Sequence, residues 1–156
     1  MCTNGPNWSN DGKKFYFVCS ADNAIREYKY DVNTSTIKGP ARVVIKFDDK
    51  WGGPGGLFDG GTVDTEGYLW WALNGAGKVI RIEPNSGRVE RVIQLQAACP
   101  TSVAFGGPDY KTLMVTFMGK NPRPGTEKFP NGGVALVRFS DQSIQGVPAN
   151  KLKYKL

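Results

Sequence analysis

The chain has 156 residues, of which 40% are hydrophobic and 12% aromatic, a composition that supports a folded core and argues against disorder. It contains no histidine, which excludes Ser-His-Asp and Cys-His catalysis and a His-ligated zinc site within these residues. The net charge of +6 comes from scattered lysines and arginines without an aromatic-basic RNA motif, so we expect no nucleic-acid partner.

Hydropathy and cysteine usage bear on where the protein works. No apolar run approaches the length of a transmembrane helix, so we expect no membrane partner. The three cysteines form no CxxC pair, and their odd number argues against a disulfide framework. This usage fits a reducing compartment, and we expect a cytoplasmic protein.

Short strand-like segments separated by turns run along the whole chain. In the first repeat, over residues 3–58, the predicted strands are 5–9, 15–20, 24–30 and 43–47. In the second, over 59–99, they are 60–63, 68–73, 78–83 and 91–95. In the third, over 100–156, they are 102–105, 112–117 and 133–139. The chain is therefore predicted to be nearly all β, without an amphipathic helix of normal length.

The three repeats begin in a similar way, at Asn4, Asp59 and Thr101. Each places a polar residue four positions before a large apolar one, followed by an acidic turn and a strand. Repeats of short strands spaced roughly 40 to 55 residues apart are typical of β-propeller blades. Since propellers need about four to eight blades, we expect three blades of a longer propeller.

Equivalent positions in successive blades face one central channel, so Asn4, Asp59 and Thr101 are expected to converge there. Their amide, carboxylate and hydroxyl oxygens are ligands of the kind that calcium binds. The alternative is that Asn4-Gly5 and Asp59-Gly60 are ordinary turn residues, which favour local hydrogen bonds and positive φ.

Further candidate site residues lie at the ends of the second strands of the repeats and among the tryptophans. Asn74 and Ser20 could either contact substrate hydroxyls or cap their strands. Trp51, Trp70 and Trp71 could line a sugar site. Trp70 and Trp71, however, are adjacent in a strand and must face opposite sides of it, which favours packing between blades.

Three motifs carry a resemblance to a known family. They are residues 4–17 (NGPNWSNDGKKFYF), 59–70 (DGGTVDTEGYLW) and 100–107 (PTSVAFGG). In order and spacing they resemble motifs of the SMP-30/gluconolactonase/regucalcin-like family, which includes luciferin-regenerating-enzyme relatives. The resemblance runs from about residue 3 to residue 139. Phe58 and Gly61 depart from the family pattern, which usually has Pro and Met there.

The resemblance implies a six-bladed propeller with a divalent cation at the mouth of its channel. Two of the family's metal ligands fall on Asn4 and Asp59. The third ligand, a Glu, and the residues that contact substrate belong to the first half of the family's chain. The sequence therefore resembles the C-terminal half, and the missing N-terminal half is expected to supply the third ligand.

The function implied by the resemblance is cation-dependent hydrolysis of a small-molecule lactone. Asp59 would be the catalytic residue, as base for the attacking water or as the group that orients it. Calcium is the favoured cation, and zinc, manganese and magnesium are alternatives. Two other interpretations stay open, a non-enzymatic calcium-binding propeller and an inactive partial chain.

Overall fold

The computed structural model describes residues 3–19, 21–119, 132–141 and 143–149. In these residues the strands form three antiparallel sheets. The first sheet has the order β1-β2-β3-β4, with β1 (Thr3–Trp8), β2 (Lys14–Cys19), β3 (Ala24–Asp31) and β4 (Thr36–Lys46).

The outer strand β4 is longer than the sequence pattern indicates, since it begins at Thr36 and the predicted strand begins at residue 43. Its first half is exposed and contains Gly39 and Pro40, two residues that weaken a strand signal. The register of β4 against β3 shifts twice. An exposed outer strand tolerates such irregularities because one of its edges carries no partner.

A short helix, α1 (Asp49–Gly52), connects the first sheet to the second. The second sheet has the order β5-β6-β7-β8, with β5 (Leu57–Val63), β6 (Leu69–Asn74), β7 (Lys78–Ile82) and β8 (Val89–Gln94). In the third sheet β10 lies between its partners, with β9 (Pro100–Gly106), β10 (Thr112–Phe117) and β11 (Val134–Arg138). The predicted blade limits stay predictions. The last predicted blade, 100–156, includes residues outside the described part of the chain.

The second sheet lies between the other two and buries both of its faces. Trp70 and Trp71 are fully buried, but on opposite sides of β6. Trp71 packs in a core with Tyr16 and Val18 of the first sheet, while Trp70 packs with Leu113 of the third sheet. The prediction that these two tryptophans join neighbouring blades is therefore confirmed.

The first strands of the three sheets lie side by side. β5 contacts β1 on one side and β9 on the other. Equivalent positions of the sequence repeats are therefore close in space, although they are far apart along the chain.

The outermost faces of the stack keep large apolar side chains exposed. On the third sheet, Val134 and Leu136 are each 59% exposed, and their neighbour Met114 is also exposed. Trp8 is exposed on the first sheet. In the described residues the stack therefore ends in apolar surface on both sides.

Within the described residues, none of the helices combines the length and apolar character that crossing a membrane requires.

Candidate functional site

Asn4 and Asp59, the two predicted metal ligands, meet where β1 and β5 lie side by side. The Asn4 side-chain amide donates a hydrogen bond from Nδ2 to Oδ1 of Asp59. Both strands have a register irregularity at this point, between Asn4 and Asn7 in β1 and between Phe58 and Gly61 in β5. Irregularities of this kind re-aim side chains near functional sites, and here they bring together two residues from different repeats.

The Asp59 carboxylate is held on both of its oxygens. While Oδ1 faces Asn4, Oδ2 accepts a 3.0 Å hydrogen bond from Nδ2 of Asn74 at the end of β6. The main-chain carbonyl of Asp59 accepts a 2.7 Å bond from the indole Nε1 of Trp71. The contacts fix both the backbone and the side chain of Asp59.

No basic side chain neutralises Asp59, since none of the ion pairs among the described residues includes it. Burial raises the pKa of the Asp59 carboxyl, although hydrogen bonds from Asn74 and from the Gly60 N–H oppose this shift. A half-buried carboxylate without a cationic partner is favourable for binding a cation, because the cation removes the electrostatic penalty of burial.

The donor set fits a hard divalent cation. It offers the Asp59 carboxylate and the Asn4 amide, whose Oδ1 accepts a 2.8 Å bond from the Gly5 N–H and retains a second lone pair. Oxygen ligands of these types suit calcium and magnesium. The described part of the chain contains no cluster of three His, Cys, Asp or Glu side chains that could hold a metal. A cation here would therefore need ligands from water or from other residues.

Thr101, the third residue expected in the channel, is not hydrogen-bonded to the other two. Its hydroxyl instead pairs with that of Thr116 on the neighbouring strand, at 2.8 Å. Ser20 lies outside the described residues, whereas Asn74, the other strand-end candidate, belongs to the Asp59 site. The pair formed by Asn4 and Asp59, extended by Asn74, is therefore the candidate site.

Gly5 lets the two inner strands approach each other at this site. Its φ is +62°, and a Cβ built there would overlap the Trp71 ring, with Cε2 at 2.9 Å, and would lie 3.2 Å from the Asp59 carbonyl oxygen. Gly12 has a similar φ of +68°, but the nearest atom to its Cβ position, in Val32, is 3.9 Å away.

We expect Gly5→Ala to lower the free energy of unfolding by about 2 kcal/mol more than Gly12→Ala does. Both variants suffer from the left-handed backbone, but only the first forces Trp71 to move. Urea unfolding followed by tryptophan fluorescence measures both losses. Equal losses would contradict the close packing of Gly5 against Trp71.

A buried carboxylate in the second sheet has a structural role that the sequence did not indicate. Asp64 is completely buried. It accepts hydrogen bonds from Trp70 Nε1 and Arg81 Nε, each at 2.9 Å, and from the N–H groups of Glu66 and Tyr68, each at 3.0 Å. The sequence places Asp64 in a turn, and only the Asp-x-x-Gly pattern hints that its side chain bonds the main chain.

Comparisons with known proteins agree with this architecture. The family model described as "SMP-30/Gluconolactonase/LRE-like region" matches residues 1–119. Regucalcin of Danio rerio is 32% identical over 148 residues, which cover 94% of this chain and 48% of that protein.

Two solved structures resemble the chain closely. A luciferin-regenerating enzyme superposes with a TM-score of 0.83 at 30% identity, over 99% of this chain and 50% of that one. A calcium-binding regucalcin from Agrobacterium tumefaciens superposes with a TM-score of 0.77 at 26% identity, over 93% of this chain and 47% of that one.

The chain spans about half the length of the curated relatives that it matches. Its three antiparallel sheets correspond to about three blades of an SMP-30-type β-propeller, so the predicted fold class is confirmed. The family predicted from the three motifs is confirmed as well. The chain belongs to the SMP-30/gluconolactonase/LRE-like family.

Proposed function

We propose that Asn4 and Asp59 form part of a divalent-cation site in a lactone-hydrolysing enzyme of the gluconolactonase type. The observation that carries this proposal is the half-buried Asp59 carboxylate, which contacts the Asn4 amide and has no basic partner among the described residues. Membership of a family named in part for gluconolactonase supports the reaction class.

The residues of the site have separable roles in this proposal. Asn4 and Asp59 hold the cation, and Asn4 acts through its neutral amide oxygen. When bound, a divalent cation supplies Lewis acidity toward the carbonyl oxygen of the lactone. Because a metal-bound carboxylate is a poor base, Asp59 would orient the attacking water, and the proton of that water would pass to bulk solvent. Trp71 keeps Asp59 in place through the hydrogen bond to its carbonyl.

Calcium is the cation that we propose, with zinc, manganese and magnesium as alternatives. The oxygen atoms of Asn4 and Asp59 suit hard cations. The sequence contains no histidine that could add a nitrogen ligand. A third protein ligand, expected to be a Glu, would come from the part of the relatives' length that this chain does not span. The substrate proposed is a small-molecule lactone, and the proposed location is the cytoplasm.

A second candidate function is calcium binding without catalysis. It is favoured by the similarity to the Agrobacterium tumefaciens protein, whose structure is described as that of a calcium-binding protein. In this case Asn4 and Asp59 would hold the same cation, but the site would lack groups that bind and activate a lactone.

Hydrolysis of gluconolactone separates the two candidates. The chain is treated with EDTA, and acid release is followed in a pH-stat before and after addition of calcium, zinc or manganese. We expect hydrolysis that depends on added cation and is lost in Asp59→Asn but kept in Asp11→Asn, a control at an exposed turn. Hydrolysis that survives EDTA treatment would contradict the proposal. Cation binding without any hydrolysis would favour the calcium-binding candidate.

A further inference from the structure

The hydrogen bonds of the Asn74 side chain differ from those of Asn10 and Asn23, whose side chains bond main-chain atoms. The side chain of Asn10 donates to the main-chain carbonyls of Asp64, at 2.9 Å, and Thr65, at 3.2 Å. Asn23 likewise bonds main-chain atoms, namely the Gly56 carbonyl and the Phe58 N–H, both at 2.9 Å. These are the contacts that a structural asparagine makes, because they satisfy backbone groups.

The Asn74 amide is directed at side chains. Its Nδ2 donates to Oδ2 of Asp59 at 3.0 Å and to the Sδ atom of Met118 at 3.4 Å. An amide nitrogen carries two hydrogens, so these two contacts use its full donor capacity and fix the plane of the amide. Since both acceptors are side-chain atoms, capping of the strand end does not account for the two bonds.

The contact divides the two oxygens of Asp59 between two amides. Asn74 holds Oδ2, whereas Oδ1 faces Asn4, the other proposed ligand. Asn4 also donates to Oδ1, but as a ligand it would turn its amide oxygen toward the cation and release Oδ1. The donor on Oδ2 would stay, because Asn74 is not a ligand. It fixes the rotation of the carboxylate and reduces the capacity of Oδ2 to bind a cation. Outer partners of this type orient metal ligands, and their loss typically lowers metal affinity about 10- to 100-fold.

We propose that Asn74 is the positioning residue of the cation site, which holds Oδ2 of Asp59 so that Oδ1 alone binds the cation beside Asn4. This inference rests on the proposed function of Asn4 and Asp59 as ligands. It adds the coordination mode of Asp59, through one oxygen, and names the side chain that imposes it.

The test measures calcium affinity and coordination mode in the 156-residue chain. The variants are Asn74→Ala and Asn74→Leu, the second of which keeps the size of the side chain without its donors. Asn10→Ala is the matched control, because it removes an asparagine that bonds main-chain carbonyls. Isothermal titration gives the calcium affinity, and melting in EDTA gives the stability of each cation-free variant.

The coordination mode is read from calcium-minus-EDTA difference infrared spectra, in which the splitting of the carboxylate stretches distinguishes one-oxygen from two-oxygen binding. For both Asn74 variants we expect the calcium Kd to rise about 10- to 100-fold and the splitting to shift toward two-oxygen binding. We expect melting in EDTA to change no more than it does for Asn10→Ala, whose calcium affinity should stay that of the wild type.

The possible failures are distinguishable. Calcium binding by the wild type that is unchanged in both Asn74 variants would overturn the positioning role and leave the ligands in place. Loss of affinity without a change of splitting, together with a large loss of stability in EDTA, would show a structural role and overturn it as well. Absence of calcium binding by the wild type would overturn the proposed cation site and this inference with it.

Discussion

Replacing Asp59 by Asn is expected to remove stabilisation by calcium and to abolish the loss of stability that ionisation of Asp59 causes in the cation-free protein as the pH rises. With calcium at about 100 times its Kd, ligand binding stabilises the wild type by about 2.7 kcal/mol, and the variant should gain almost none of this. The second effect follows from the raised pKa of Asp59, since burial opposes its ionisation in the folded chain.

The sign of the pH dependence follows from that direction. Protonated Asp59 favours the folded state, and this contribution is fully present below the unfolded pKa, which is near 3.8. It is lost as the pH rises through the higher pKa of the folded state, because the buried group must then ionise. The amide that replaces the carboxyl in Asp59→Asn stays neutral throughout, so the stability of the variant relative to the wild type should rise from about pH 3 to a plateau above the folded pKa.

Thermal melting in EDTA from about pH 3 to about pH 8, repeated with calcium near neutral pH, measures both effects. Asp11→Asn serves as the control, because the Asp11 carboxylate lies at an exposed turn and hydrogen bonds from Ser9 and Lys13 lower its pKa. A variant Asp59→Asn that is still stabilised by calcium like the wild type would contradict the role of Asp59 as a ligand.

The second large effect is expected at Asp64. Asp64→Ala should lower the free energy of unfolding by about 3 to 5 kcal/mol, because it removes the fully buried carboxylate of an ion pair and leaves Arg81 with only the exposed Glu66 as a partner. Arg81, whose Nη2 lies 2.7 Å from Asp64 Oδ2 and whose guanidinium stacks on the Tyr68 ring at 3.8 Å, would lose its buried partner. The Trp70 indole would also lose its acceptor.

Glu66→Ala is the matched control for this effect. Glu66 also pairs with Arg81, but its side chain is 46% exposed, so its removal should cost at most about 1 kcal/mol. Urea unfolding of both variants at neutral pH gives the comparison. Similar losses for Asp64→Ala and Glu66→Ala would show that burial does not decide the strength of this network.

Much of the fold could be predicted because its signals are local. Alternating apolar residues and turn motifs indicate most strands to within a few residues, and the alternation of side chains assigns Trp70 and Trp71 to opposite faces. The repeat spacing also predicts that Asn4 and Asp59 meet, since equivalent positions of neighbouring blades lie side by side. Residues that are one repeat apart in the sequence are therefore neighbours in the folded protein.

The remaining features depend on contacts that no local pattern specifies. The bond from Asn74 to Asp59 depends on how the end of β6 lies against the irregular part of β5. The pair of Asp64 and Arg81 joins residues that are distant in sequence, and its strength comes from burial. The early start of β4 follows from pairing with β3, which overrides the weak strand propensity of residues 39 and 40.

Calcium titration of the EDTA-treated chain by calorimetry shows directly whether Asn4 and Asp59 form a cation site. We predict one calcium ion bound per chain, with binding lost in Asp59→Ala and weakened in Asn4→Ala while both variants remain folded by circular dichroism. Absence of binding, or calcium binding in Asp59→Ala equal to that of the wild type, would contradict the assignment of Asn4 and Asp59 as the cation site.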